Sequence, residues 1–143
     1  MRQIEKQIIL RVNDWSVNER YRCVRTLREL AETEENYVVI SRELERVEAQ
    51  LLRARKQQAP ATLSLVEWFE TLNHFRWTCA YCQARPFQVM SHVMPLPQRG
   101  TTIDNCVPAC HRCRGSKQKD PRYVQAFVAS LSRNEDELTV MSV

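Results

Sequence analysis

Two Cys-x-x-Cys pairs, "CAYC" at 79–82 and "CHRC" at 110–113, constrain this chain more than any other feature. Each turn can present two thiolates to one metal ion, and two such turns complete a tetrahedral Zn²⁺ site with no open position. The zinc expected at Cys79, Cys82, Cys110 and Cys113 is therefore structural, because no ligand place remains for water or substrate. A redox dithiol is the competing reading, but two matched pairs separated by a strand-like segment fit it less well. The other two cysteines read as small hydrophobes: Cys106 buried before Val107, and Cys23 within a helical stripe. Few large apolar residues surround the paired cysteines, so zinc is expected to be essential to folding there.

The rest of the composition sets the frame. At 143 residues, 43% hydrophobic and 27% charged, the chain reads as one soluble folded domain or one module with an extension. A net charge of +4 does not by itself imply a nucleic-acid partner. No apolar run approaches the ~20 residues that span a bilayer. The segment "MRQIEKQIILRVNDW" carries Glu5 and Asp14 around a short apolar patch and makes a poor signal peptide. A cytoplasmic location without membrane attachment is expected, where cysteines tend to serve metals. Both glycines, Gly100 and Gly115, lie near the cysteine cluster, so the first half of the chain has none.

That first half reads as helical. "SVNE" at 16–19 has the form of a capping box, followed by Val17, Tyr21, Val24, Leu27 and Ala31 at helical spacing. Tyr37, Ile40, Leu44, Val47 and Leu51 then step by 3 and 4, the seam spacing of a coiled coil. The stripes change phase at "AETEENY", which predicts two antiparallel helices rather than one. Pro60 in "QQAPAT" ends the second. "SLVE" at 64–67 is a further capping box, opening a short helix with Leu65, Phe69 and Leu72 on one face. His74 reads as a helix-terminal or surface residue.

Between the cysteine pairs, "FQVMSHVMP" alternates and ends at proline as a strand does. "PLPQRGTT" reads as a loop, "IDNCVPAC" as a second short strand, and "HRCRGSKQ" as the start of a helix. Asp120, Pro121, Val124, Phe127, Val128 and Leu131 predict a closing helix. The fold class is α+β: a mainly helical N-terminal arm (hairpin or coiled coil) over 1–60, a zinc-bound ββα module with flanking helices over 61–134, and a tail over 135–143.

The string "FRWTCAYCQ…SHVMPLPQRGTTIDNCVPACHRCRGSK", covering about residues 75–120, resembles the zinc-stapled HNH endonucleases of the ββα-metal fold. The resemblance implies a general base at His92, an orienting residue at Asn105, and zinc ligands at the four paired cysteines. It also implies an acidic ligand beside the histidine and a second ligand on the helix, which together hold a catalytic Mg²⁺. Here those positions are Ser91 and Arg114. A neutral hydroxyl is a weak ligand for a hard cation, and a guanidinium offers no lone pair and repels it. Losing both is expected to remove most affinity for magnesium. His111 could still offer an imidazole, or Arg114 could replace the cation.

Arg112, Arg114, Lys117, Lys119 and Arg122, with Arg99 in the preceding loop, form a basic cluster on the element that family lays against phosphate. Three functions follow as expectations. The first is nucleic-acid binding, DNA in preference to RNA, with cleavage lost or weak and a protein partner or second copy docked on the helical arm. The second is an unconventional nuclease or nickase using His92. The third is a structural zinc adaptor in a larger nucleoprotein complex.

Overall fold

The structure, a computed structural model, describes residues 4–19, 23–114 and 122–141, the last ten of these as backbone only. Its elements run α1 (Lys6–Asn18), α2 (Val24–Ala31), α3 (Glu34–Lys56), α4 (Leu65–His74), β1 (Val89–His92), α5 (Leu96–Arg99), β2 (Cys106–Ala109), α6 (His111–Arg114) and α7 (Arg122–Met141). The mixed α+β class is as expected, with a small sheet among many helices.

The N-terminal segment does more than the sequence suggests. It forms α1 and buries Ile8, Ile9 and Val12. Ser16–Glu19 is consequently no capping box. These residues close α1, and the Ser16 hydroxyl donates to the Asn13 carbonyl at 2.9 Å. Because α2 starts only at Val24, the stripe expected from Val17 onward is not carried by one helix. Val17 is 74% exposed, and Cys23 is exposed at the N-cap of α2 rather than buried. Tyr21 lies outside the described residues.

The break at "AETEENY" is real. Glu32 turns left-handed at φ +70°, and Thr33 caps α3 by accepting the Asn36 N–H at 3.1 Å. Asn36 in turn donates its side-chain amide to the Ala31 carbonyl at 3.0 Å, tying α2 to α3. On α3, Ile40, Leu44 and Val47 are buried as their spacing requires. Together they form an apolar seam. It packs in one cluster with Ile8 and Val12 of α1, Leu27 of α2, and Leu65, Phe69 and Leu72 of α4. The capping box of α4 forms both of its bonds, between Ser64 and Glu67. His74 ends α4 and is exposed, as read.

β1 and β2 pair antiparallel, with Val89 opposite Ala109 and His92 opposite Cys106. Successive side chains of a strand point to opposite faces, so this ribbon divides two cores. Met90 and Cys106 join the helical cluster. Val107 and Ala109 join a second cluster with Phe75, Cys79, Tyr81, Cys110, Val124 and Phe127. The helical cluster thus draws on residues from both sides of Pro60. Alternation also places His92 toward the helices and Ser91 toward the cysteines.

Part of the expected loop is a turn of helix, α5, introduced by Pro95 and stopped by Gly100. Gly100 has φ +78°, and a Cβ there would lie 2.1 Å from the Pro60 carbonyl oxygen. Only glycine lets this loop cross the segment before α4. The crossing is bonded: Thr101 N–H donates to Pro60 O at 2.8 Å, and Thr62 and Leu63 donate to Thr101 O at 3.0 and 3.1 Å. α7 continues to Met141, through the segment read as a tail. Asp120 and Pro121, expected to open it, lie outside the described residues. No helix among those described is long and apolar enough to cross a membrane.

Candidate metal centre and the adjoining cleft

The thiol sulfurs of Cys79, Cys82, Cys110 and Cys113 all lie within 4.8 Å of one another. A tetrahedron built on ~2.3 Å Zn–S bonds has edges of about 3.8 Å, so the donor set and size suit a shared ion such as zinc. Two turns bring the sulfurs together. After the first pair, Gln83 is left-handed at φ +53° and its N–H donates to Cys79 O at 2.9 Å. This step brings the backbone amides of Ala84 and Arg85 onto the Cys82 sulfur. Burial opposes ionisation of Cys82, but those amides and the thiols of Cys79 and Cys113 outweigh it and hold the group down at about 7. Burial and the surrounding thiols push Cys113 up to about 12. Four thiols this close shed their protons together only if a cation replaces them. Cys106 stands apart in the helical core, pushed up to about 12 by its burial, and is the apolar residue expected.

His92 closes β1 and is half-buried. Its Nε2 lies 3.0 Å from the Thr101 hydroxyl oxygen. That hydroxyl donates to the Gln50 carbonyl at 3.1 Å. A carbonyl oxygen can only accept, so Thr101's one proton is committed to Gln50 and the threonine must accept from His92 Nε2–H. Nδ1 is left with the lone pair. Burial, and after it the charge of Arg53, hold the imidazole below its ordinary value. It is therefore neutral at pH 7.

Asn105 makes no hydrogen bond to the imidazole it was expected to orient. Its side-chain oxygen accepts Met94 N–H at 2.7 Å, and its amide donates to Met94 O at 3.1 Å and Gly100 O at 2.8 Å. Its own carbonyl accepts Val93 N–H at 2.9 Å. Asn105 thus fixes the backbone that follows His92. Thr101, which the sequence did not single out, holds the ring.

A cleft of about 350 Å³ lies beside His92, lined by Arg46, Gln50, Arg53, Arg114 and all four residues of β1. Consecutive strand residues point to opposite faces, so a cleft touching all four follows the strand's edge, between α3 and α6. No carboxylate lines it among the described residues. Ser91 is buried and hydrogen-bonded to Tyr81, and His111 is exposed and does not line the cleft. A divalent ion about 5 Å from one guanidinium is repelled by roughly 7 kcal/mol at an effective dielectric of 20. The cleft suits an anion.

Arg46, Gln50 and Arg53 fall at i, i+4 and i+7, one polar stripe of α3 beside its apolar seam. Arg46 is fixed: it donates to Glu43 at 2.9 Å and to the Gln88 carbonyl at 3.0 Å, and lies 4.7 Å over the Phe87 ring. Glu43 is only 2% exposed and also accepts from the Trp68 indole at 3.0 Å. Its carboxylate offsets much of the charge on Arg46. Arg53 is held by Gln50 at 2.9 Å.

Those basic residues singled out from sequence that the structure describes lie in several different places. Among the described ones, Arg114 lines this cleft and the others do not. Arg112 instead borders a small cavity with Cys82, Ala84, Arg85 and Cys113. Arg99 is exposed on α5, and Arg122 is exposed beside the Tyr123 ring at 5.8 Å. Lys117 and Lys119 lie outside the described residues. The signal that could have found Arg46 and Arg53 is their helical spacing.

No family model, curated protein or solved structure matches this chain.

Proposed function

We propose that this chain is a zinc-stapled nucleic-acid-binding module, related in design to the HNH endonucleases, whose metal-dependent cleavage has been lost. The observation that carries the reading is the lining of the His92 cleft: a histidine at a strand end, three arginines, and no carboxylate among the described lining residues. A phosphodiester backbone is the common biological ligand that such a groove attracts. The four-cysteine cluster, the antiparallel ribbon and the short helix α6 support the ββα design, with zinc as the shared ion. The cleavage step of such enzymes needs a cation to take up charge on the phosphorane. Neither Ser91 nor Arg114 can hold one.

The test is binding and nicking with the zinc-loaded full chain. Fluorescence anisotropy with short DNA and RNA is expected to give binding that weakens steeply as salt rises. Arg114→Ala is expected to weaken it on every sequence alike. Plasmid DNA incubated with Mg²⁺ or Mn²⁺ is expected to stay uncut. Absence of binding at about 50 mM salt, where phosphate contacts are strong, defeats the reading in favour of a zinc adaptor. Nicking that disappears in His92→Ala defeats it in favour of a working nuclease.

A further inference from the structure

The cleft has a part that the HNH resemblance does not supply, because its basic wall comes from α3, outside the resembling stretch. Arg53 of α3 and Arg114 of α6 line the cleft together with His92 and the edge of β1. Arg46 adds rigidity more than charge, since Glu43 answers it. Two guanidiniums therefore remain with no acid beside them among the lining residues described. Each can offer paired N–H donors to an oxyanion. Gln50 serves twice, steering Arg53 with its side chain and anchoring Thr101 with its carbonyl. Through Thr101 it also fixes the imidazole, so one turn of α3 sets both the arginine and the histidine.

We infer that Arg53, Arg114 and His92 form a seat for one phosphate group that fills without a divalent cation, with α3 contributing the charge that a catalytic metal would otherwise supply. The seat deepens the nucleic-acid reading by naming where a phosphate sits, although it can exist without that reading. The charged groups facing His92 there are Arg46 and Arg53 of α3 and Arg114 of α6, all cations. Burial and, after it, Arg53 oppose protonation of the ring, and a bound phosphate offsets the effect of the guanidinium. Occupancy should therefore raise the affinity of His92 for its proton.

The probe is inorganic phosphate, added to zinc-loaded protein with labelled histidines in buffer free of added divalent ions. The chain has three histidines, so the His92 ring signals are separable and can be assigned with a His92→Gln variant. Saturable shifts at His92 are expected, its titration midpoint moving upward, while chloride at equal ionic strength produces neither. Arg53→Gln is expected to weaken phosphate at least tenfold. Arg53 is exposed on α3, so the variant should fold, which its zinc content and circular dichroism check. Lys6→Gln, which removes a charge from α1 outside the cleft, is expected to leave affinity unchanged.

No saturable change at His92, or equal affinity in Arg53→Gln, overturns the seat. A parallel titration with an oligonucleotide separates the two proposals. Phosphate binding without competition by the oligonucleotide keeps the seat and removes the nucleic-acid function. Oligonucleotide binding that is indifferent to Arg53→Gln keeps the function and removes the seat.

Discussion

At the scale of single residues, His92 is set by neighbours far away in sequence. Thr101 accepts a hydrogen bond from its Nε2–H, Gln50 commits the threonine, and burial with Arg53 discourages a second proton. Because the folded-state pKa lies below the ordinary value near 6.5, the folded chain binds fewer protons than the unfolded one as pH falls. Stability from this residue is present above about pH 6.5 and declines on acidification until the folded pKa is passed. Denaturant melts between pH 7 and 5 should therefore show the native chain losing stability relative to His92→Gln, which cannot titrate. Parallel slopes for the two proteins would mean that the ring is not held neutral. Thr101 and Gln50 were not legible as partners of His92, since nothing local in "QRGTT" marks a buried hydroxyl. The four clustered cysteines were legible because a Cys-x-x-Cys spacing is itself the local geometry.

Among the elements, α3 bears two stripes, and the sequence reading took notice of one. The spacing of Ile40, Leu44 and Val47 marks a packed seam, whereas nothing in the spacing of Glu43, Arg46, Gln50 and Arg53 separates a bonded polar stripe from a solvated one. Glu43 betrays the difference only after folding, when Trp68 and Arg46 both reach its carboxylate. The reading of Ser16–Glu19 failed for a complementary reason. A capping box stabilises a helix only if one begins there, and those four residues instead end α1. The join between the helices and the cysteine half rests on Gly100, whose φ of +78° and ψ of −163° are essentially reserved for glycine. Adding a Cβ there also drives into the Pro60 backbone at 2.1 Å, where no side chain can swing aside. Gly100→Ala should cost about 3 kcal/mol or more. Urea melts check this, and a loss below about 1 kcal/mol would mean that the crossing is loose.

Over the whole molecule, the ribbon β1–β2 works as a partition with a different kind of core on each face. The helical side is large and apolar, with Ile8, Ile9, Val12, Ile40, Leu44, Val47, Trp68 and Phe69 among its buried residues. The cysteine side has Phe75, Tyr81, Val107, Val124 and Phe127 around the thiols, too little apolar surface to hold α7 without help. Structural zinc sites contribute about 10–16 kcal/mol of apparent binding energy, comparable with or larger than the stability of an ordinary domain. Metal removal should therefore release the two faces unequally. After dialysis against a chelator with reductant present, hydrogen exchange is expected to speed up first across Arg122–Leu131 and the two cysteine turns. Amides of Ile40–Val47 should stay protected, and most helical circular dichroism should remain. If α3 and α7 lose protection together, the ribbon transmits rather than separates, and the molecule folds as one cooperative unit. If neither changes, the four thiols hold no metal that matters to the fold, and the staple at the base of the proposed function is gone.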